Sequence, residues 1–132
     1  MSGPPAPRKA PRGRDTGPDA ATRALLEARD GGVCVVCGQP GSDWDPLTTH
    51  HRKNRGAGGS KNPGINRPTN LLRVHASINQ AFEDSNPNYY ANGWKLRDVR
   101  DAPTTPVLYP DGRWFLLDEQ GNRTETDPPN VY

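Results

Sequence analysis

The chain has 132 residues, 31% of them apolar, and a formal net charge of +2. This length fits a single domain with a small core, and the 15 Pro and 14 Gly assign much of the chain to loops. No apolar run is long enough to cross a membrane, and the Pro-rich, basic N-terminus is unlike a signal peptide, so the composition favours a cytoplasmic protein without membrane contact.

The N-terminal segment lacks the apolar residues that folding requires. Residues 1–19 hold five Pro and four basic residues, which is typical of a disordered basic arm. The next stretch, DAATRALLEARD, favours a short helix with Asp19 or Thr22 as its N-cap. Gly31-Gly32 is expected to end that helix.

A pair of cysteines follows the predicted helix. Cys34 and Cys37 form a C-x-x-C sequence followed by Gly38, the shape of a knuckle that points two sulfurs at one metal ion. The spacing alone leaves two alternatives open, a redox pair and two buried cysteines without a metal. A single closely spaced pair does not indicate a disulfide framework.

Three patterns follow in the middle of the chain. The β-branched run LTTHH at residues 47–51 predicts a short strand that ends in two histidines. Residues 52–69 are a long Gly- and Pro-containing loop, in which Ile65 can mark a second short strand. Residues 76–83 predict a helix whose apolar face consists of Ile78, Ala81 and Phe82.

The last third of the chain predicts a β-hairpin. Residues 87–94 suit a turn with one or two helical turns. Two β-favouring runs, 107–109 and 113–117, flank an Asp-Gly turn signal. The folded domain is expected to cover residues 20–120, followed by a polar tail over 121–132. The core of this domain is expected to include Trp44, Trp94, Trp114 and Phe115.

Positive charge is concentrated beside the histidines. Residues 50–73 contain no Asp or Glu, and such a local basic patch is the expected footprint of a phosphate-binding face. We predict that its basic side chains bind nucleic acid as a group, namely Arg52, Lys53, Arg55, Lys61, Arg67 and Arg73.

The three histidines of the chain, His50, His51 and His75, lie within one short stretch. A neutral imidazole, with an ordinary pKa of about 6.5, can activate a water molecule. A divalent cation can stabilise the charge that develops on a phosphoryl group and on the departing oxygen. Adjacent histidines at a strand end, with Asn79 on the following helix as a second ligand, suit phosphodiester hydrolysis.

These residues carry a resemblance to the HNH endonucleases. The pattern is C-x-x-C, then His-His-Arg, a loop with Gly-Gly-Ser, Asn-Leu-Leu, and a ligand position nine residues beyond that Asn. It is similar to the small versions common in bacteriophages and covers about residues 32–94. The resemblance implies an α+β fold with a small ββα-metal (His-Me finger) core, flanking helices, the C-x-x-C knuckle and the C-terminal β-hairpin.

The resemblance implies a role for each matching position. His51 falls on the general base, and His50 on the metal ligand that precedes it. Asn70 falls on the middle Asn, which holds the base-bearing strand in register. Asn79 falls on the second metal-ligand position, where the family commonly has His, so this is an H-N-N variant. Because an amide oxygen is a hard ligand, we expect Mg²⁺ or Mn²⁺, with Zn²⁺ as the alternative.

A second departure concerns the structural zinc that the family often holds with two C-x-x-C pairs. Cys34 and Cys37 match the first pair, whereas the second falls on His75 and Ile78, and Ile78 cannot bind zinc. Either a degenerate zinc site survives on the two cysteines and His75, or the zinc is lost and Ile78 joins an apolar core. Because closed structural sites use four protein ligands, the sequence slightly favours the loss.

The leading hypothesis is a phage-type, metal-dependent endonuclease that nicks or cuts double-stranded DNA in the host cytoplasm. The alternative is a non-catalytic DNA-binding or packaging-accessory protein on the same scaffold, for which a phage terminase or portal protein is a conceivable partner. A thiol oxidoreductase built on Cys34 and Cys37 is a third hypothesis. It requires a lowered pKa of the Cys34 thiol.

Overall fold

The computed structural model describes residues 17–54 and 64–129. The described residues form an α+β structure with short helices and two small antiparallel sheets. Most of the predicted N-terminal arm lies outside the described residues. None of the helices in the described ranges has the length and apolar character needed to span a membrane.

The first helix, α1, spans Ala20–Asp30 and confirms the sequence prediction. Its N-cap is Asp19, whose side chain accepts the backbone N–H of Thr22 at 2.8 Å. Gly31 ends the helix with a φ of 73°, a left-handed conformation that glycine adopts without the steric cost of a Cβ atom. Both ends of α1 are therefore set by the residues that the local sequence indicates.

The first sheet pairs β1, Leu47–His51, with β2, Leu71–His75. The strands are antiparallel, and their register places His50 opposite Leu72. The strand predicted at residues 47–51 is confirmed. The second strand lies at residues 71–75, and the suggestion that Ile65 marks it is wrong because Ile65 is buried in a turn.

Two short helices follow the first sheet. Helix α2 spans Ala76–Ala81 and begins directly after β2. It is shorter than the predicted 76–83, because Phe82 already has the conformation of a C-cap. Helix α3 spans Pro87–Ala91, with Pro87 at the start of the helix, where its missing N–H costs no hydrogen bond.

The second sheet contains three antiparallel strands in the order β3 (Val107–Leu108), β4 (Trp114–Leu117) and β5 (Arg123–Thr126). The predicted hairpin is its first half. The expectation that a polar tail begins at residue 121 is wrong, because β5 pairs with β4 along its length. The guanidinium of Arg123 lies 4.3 Å from the ring centroid of Phe115, which holds β5 on the sheet.

The main core contains residues from both sheets. Its buried side chains come from the knuckle, from β2, from the C-cap of α2, and from the second sheet and the residue after β3: Cys34, Val35, Leu72, Val74, Phe82, Val107, Tyr109, Phe115 and Leu117. Ile78 and Trp94 pack against this cluster while remaining partly exposed. The prediction that Trp44 belongs to the core is wrong, since it is 95% exposed on the loop before β1.

Candidate functional site

The two adjacent histidines of β1 point to opposite faces of the strand, as successive strand residues do. His50 faces α2 and lies in a cleft of about 330 Å³ that it lines with Thr48, Asn79 and Glu83. His51, the last residue of β1, faces the segment that precedes β2. The sequence HH at a strand end therefore places one imidazole on each side of the strand.

The proton position on His50 follows from its surroundings. The Nε2–H of His50 donates to the carbonyl oxygen of Trp94 at 2.8 Å. Burial lowers the pKa of His50 to about 4 and outweighs the effect of that carbonyl, so the ring is neutral at physiological pH. A neutral ring bound through Nε2–H carries its lone pair on Nδ1.

The orientation of the Asn79 amide follows in the same way. The Thr48 hydroxyl donates to the carbonyl oxygen of Val74 at 3.3 Å, so its oxygen accepts from Asn79. The Nδ2–H of Asn79 donates to that Thr48 oxygen at 3.2 Å. The other end of the amide, Oδ1, then faces His50, and it lies 3.2 Å from Nδ1.

His50 Nδ1 and Asn79 Oδ1 therefore lie 3.2 Å apart, and each can offer a lone pair to a cation. This is the arrangement expected of two ligands that share one metal ion, and nitrogen and oxygen ligands together suit Mg²⁺, Mn²⁺ or Zn²⁺. His50 and Asn79, which sequence reasoning paired across 29 residues, are thus brought together with donor atoms that fit a metal.

Glu83 is a cleft residue that sequence reasoning missed. Its exposed carboxylate lines the same cleft as His50 and Asn79. Its signal in the sequence is its position four residues after Asn79, because residues at i and i+4 share a face of a helix. The face predicted for this helix, Ile78, Ala81 and Phe82, is apolar and does not include this pair.

His51 has its own oriented environment. Its Nε2–H donates to Oδ1 of Asn66 at 2.7 Å, and this tautomer puts the lone pair of the imidazole on Nδ1. Asn66 was not singled out from the sequence, and a lone Asn in a long loop gives no signal for such a role. His51 is not among the residues that line the cleft of His50 and Asn79.

Asn70 is completely buried and uses both ends of its amide on the backbone. Its Oδ1 accepts the N–H of Lys53 at 2.9 Å, and its Nδ2–H donates to the carbonyl of Ile65 at 2.8 Å. These bonds hold the chain just after His51 against the start of β2. Asn70 is therefore placed to fix the end of β1.

Arg52 does not have the role expected from the basic patch. Its side chain is fully buried, and its guanidinium donates to the carbonyl oxygens of Thr69, Gly93, Ala102 and Thr105 at 2.7 to 3.1 Å. The prediction that Arg52 contacts nucleic acid is wrong, because no face of this guanidinium is available. Burial without a carboxylate partner lowers its pKa to about 9.

The other predicted phosphate contacts differ in exposure. Lys53 is half-buried and Arg67 is exposed, so both can reach a ligand. Arg73 donates to the Thr49 hydroxyl at 3.2 Å and pairs with Glu27 at 3.5 Å, which directs it towards α1. Arg55 and Lys61 lie outside the described residues. Among the predicted residues that the structure describes, Lys53 and Arg67 are the ones available to a phosphate.

A second cluster lies at the C-x-x-C knuckle. Cys34, Cys37 and His75 each offer one ligand atom, a sulfur or a ring nitrogen. These three atoms lie within 4.8 Å of one another, close enough to hold a metal ion. The Sγ of Cys37 is 3.4 Å from Nδ1 of His75, close to the separation of about 3.5 Å expected between tetrahedral sulfur and nitrogen ligands of zinc. The signal for this cluster was present in the sequence.

Hydrogen bonds around the cluster affect the ring of His75 and the thiol of Cys34. The Nε2–H of His75 donates to the carbonyl of Pro40 at 3.0 Å, which leaves Nδ1 as the donor atom and raises the pKa of the ring. Burial raises the pKa of the Cys34 thiol, but backbone N–H groups around the sulfur outweigh it and leave the pKa below its ordinary value. A thiol with a lowered pKa gives up its proton to a metal more readily.

Comparison of the chain with family models, with curated proteins and with solved structures finds no significant match.

Proposed function

We propose that the protein is a metal-dependent endonuclease of the HNH type that hydrolyses phosphodiester bonds of double-stranded DNA. The observation that supports the proposal is the 3.2 Å separation of His50 Nδ1 and Asn79 Oδ1, a nitrogen and an oxygen that can share one cation. The order of β1, β2 and α2 around this pair is the order of the ββα-metal core that the resemblance implies.

The metal-binding residues of the proposal are His50, Asn79 and Glu83. A divalent cation held by them would draw charge from a nonbridging phosphate oxygen and from the departing 3′-oxygen. His50 contributes a neutral nitrogen because burial keeps its pKa at about 4. Asn79 and Glu83 contribute oxygens, so the hard ions Mg²⁺ and Mn²⁺ are the proposed cofactors.

His51 is the proposed general base. In this proposal its imidazole accepts a proton from the attacking water, and the contact of Nε2 with Asn66 at 2.7 Å holds the ring in place. Asn70 keeps the chain after His51 in place through its bonds to Lys53 and Ile65. Lys53 and Arg67 are the proposed phosphate contacts among the described residues.

The Cys34, Cys37 and His75 cluster is proposed as a separate structural zinc site. Soft sulfur ligands and one imidazole favour zinc over the hard ions of the cleft. Its fourth ligand would be water, because Ile78 occupies the position where the family has a cysteine and packs against the core.

Nicking of supercoiled plasmid tests the proposal. Wild-type protein should relax the plasmid with Mg²⁺ or Mn²⁺, and His51→Ala should lower the rate by about 10²- to 10⁴-fold, the usual contribution of a general base. Asn79→Ala should shift the metal requirement to higher concentration. Equal rates in wild type and His51→Ala would refute the mechanism. Salt-sensitive DNA binding without cleavage in any metal would identify a binding protein instead.

A further inference from the structure

Helix α2 carries the cleft residues but is too short to be stable on its own. It has six residues, Ala76–Ala81, whereas isolated helices shorter than about 12 residues are marginal in water. Its cleft face contains Asn79, and Glu83 follows in the turn that ends it. The position of both metal-binding oxygens therefore depends on what holds the ends of α2.

The N-terminal end of α2 is held by Asp45, a residue of the loop before β1. The carboxylate of Asp45 accepts the backbone N–H of Ser77 at 2.9 Å and the Ser77 hydroxyl at 2.6 Å. His75, the formal N-cap, makes no capping bond with its own side chain. Asp45 thus satisfies a backbone N–H of the first turn from outside the helix.

The C-terminal end is held by Lys95, which is buried with a relative exposure of 7%. Its ammonium donates to the carbonyl oxygen of Phe82 and, at 3.0 Å, to that of Asp84. These two carbonyls flank Glu83 in the chain. A buried ammonium without a carboxylate partner is costly, and here it is compensated by carbonyl oxygens at a helix C-terminus.

Lys95 belongs to a three-residue segment that also orients the other metal ligand. The carbonyl of Trp94 accepts the Nε2–H of His50 at 2.8 Å, and that of Gly93 accepts from Arg52 at 2.8 Å. A Cβ atom at Gly93 would lie 1.9 Å from the Pro106 carbonyl oxygen, so only glycine fits there. The segment Gly93–Lys95 thus connects the His50 side of the cleft to the Glu83 side.

We propose that Lys95 and Asp45 are positioning residues, which hold α2 at its two ends so that the oxygens of Asn79 and Glu83 meet Nδ1 of His50. The inference rests on the proposed metal site in the cleft. Neither residue touches the metal or the substrate. Each acts through the backbone of α2 or of the turn after it.

The test is the affinity of the cleft for Mn²⁺, measured by electron paramagnetic resonance of free and bound Mn²⁺. Lys95→Met keeps the length of the side chain and removes the ammonium. We expect its dissociation constant for Mn²⁺ to rise by about 10- to 100-fold, the usual effect of losing a group that orients a metal ligand. Asp45→Ala, at a half-buried position, should raise it as well.

The matched controls are Arg97→Met and Asp43→Asn. Arg97 lies over the same Tyr90 ring as Lys95, 3.9 Å from its centroid against 5.3 Å for Lys95, but it is exposed and holds no carbonyl of α2 in the described contacts. Asp43 carries a charge two residues from Asp45. Both controls should bind Mn²⁺ with wild-type affinity. This result would distinguish the positioning role of Lys95 and Asp45 from a simple loss of local charge.

A second readout uses bis(p-nitrophenyl) phosphate, a small diester that makes no extended DNA contacts. The Mn²⁺ concentration for half-maximal hydrolysis should rise in Lys95→Met and Asp45→Ala, while the plateau rate stays within a few-fold of wild type. Lys95→Arg, which keeps the donors, should restore part of the affinity. If Lys95→Met does not fold, Asp45→Ala and Lys95→Arg decide the question.

The outcomes distinguish a failure of the positioning role from a failure of the metal site itself. Folded Lys95→Met and Asp45→Ala proteins with wild-type Mn²⁺ affinity would overturn the positioning role and leave the nuclease proposal intact. Wild-type protein in which Mn²⁺ binding is unaffected by His50→Ala and Asn79→Ala would overturn the metal site itself, and the positioning role with it.

Discussion

Arg52 illustrates how little residue type says about the role of a charged side chain. Its guanidinium uses three nitrogens on four backbone carbonyls, which belong to the segments before β2 and before β3. Lys53, the next residue, is half-buried. Strand alternation accounts for the difference, because Arg52 follows His50 by two residues and so faces the interior with it.

The contrast predicts two different effects of removing a basic residue. Arg52→Met should lower the free energy of unfolding by about 3 kcal/mol or more, since it leaves several buried carbonyls without a donor. Arg67→Ala should change stability by less than about 0.5 kcal/mol. Its DNA affinity should fall, and the slope of log affinity against log salt should decrease by about one. Urea unfolding and fluorescence anisotropy at several salt concentrations measure both effects.

The opposite pattern would contradict this assignment. If Arg52→Met were stable and its slope of log DNA affinity against log salt were smaller, Arg52 would contact DNA after all. An Arg67→Ala protein with an unchanged slope would place the DNA elsewhere on the surface.

Sequence reasoning succeeded where a residue acts on its near neighbours. Asp19 and Gly31 set the ends of α1 through local rules, and the adjacent histidines end β1 as predicted. It failed for Trp44, because composition assigns a large aromatic residue to the core while the loop geometry leaves it outside. Asn66 was missed because its partner, His51, is 15 residues away and no periodicity connects them.

Among the elements, the knuckle is the one that a metal would tie to the end of β2. Residues 33–40 contain one isolated bridge, between Val33 and Pro40, and the N–H of Val35 donates to the carbonyl of Arg73 in β2 at 2.9 Å. Cys34 and Val35 are also buried in the main core. A metal on Cys34, Cys37 and His75 would add a further link, to the residue that directly precedes α2.

Removal of that metal gives an element-scale prediction. Protein purified without chelator should contain about one zinc per chain, and Cys37→Ser should lose it. By mass action, a ligand at a hundredfold excess over its dissociation constant stabilises the folded state by about 3 kcal/mol, and the variant should lose a comparable amount. Mass spectrometry of the metal content and urea unfolding are the measurements. Wild-type protein without zinc, and equally stable as the variant, would show that the cluster is a metal-free thiol pair.

β5 shows why an element escapes prediction. Its sequence, RTET, has no apolar residue, and three of its four positions are exposed. An edge strand of this kind leaves no hydrophobic pattern in the sequence, since its stability comes from pairing with β4 and from Arg123 on the aromatic rings. The hairpin before it was predicted because its turn residues and β-favouring runs act locally.

At the scale of the whole molecule, a buried polar network connects α1 to both sheets. Arg29 pairs with Asp30 at 2.9 Å and donates to the carbonyls of Pro68 and Leu71, at the start of β2. The hydroxyl of Tyr109, next to β3, donates to the same Asp30 carboxylate at 2.7 Å. Sequence reasoning had no access to this network, because the partners are up to 79 residues apart.

The network makes stability depend on pH in a defined direction. Burial, together with the negative charge of Asp30, raises the pKa of Tyr109 well above its ordinary value of about 10. Above pH 10 the unfolded chain therefore loses a proton that the folded protein retains. The contribution of Tyr109 to stability is fully present below pH 10 and is lost as the pH rises towards the folded-state pKa.

Tyr109→Phe tests this linkage. At pH 8 the variant should be less stable by about 1 to 3 kcal/mol, because the buried Asp30 carboxylate loses a donor. Between pH 8 and pH 11 the wild type should lose more of its free energy of unfolding than the variant, since only the wild type has the raised tyrosine pKa. Urea unfolding at the two pH values measures both differences, and the other titrating groups are common to both proteins. An equal decline in the two proteins would mean that Tyr109 ionises without constraint, and Asp30 would then be held by Arg29 alone.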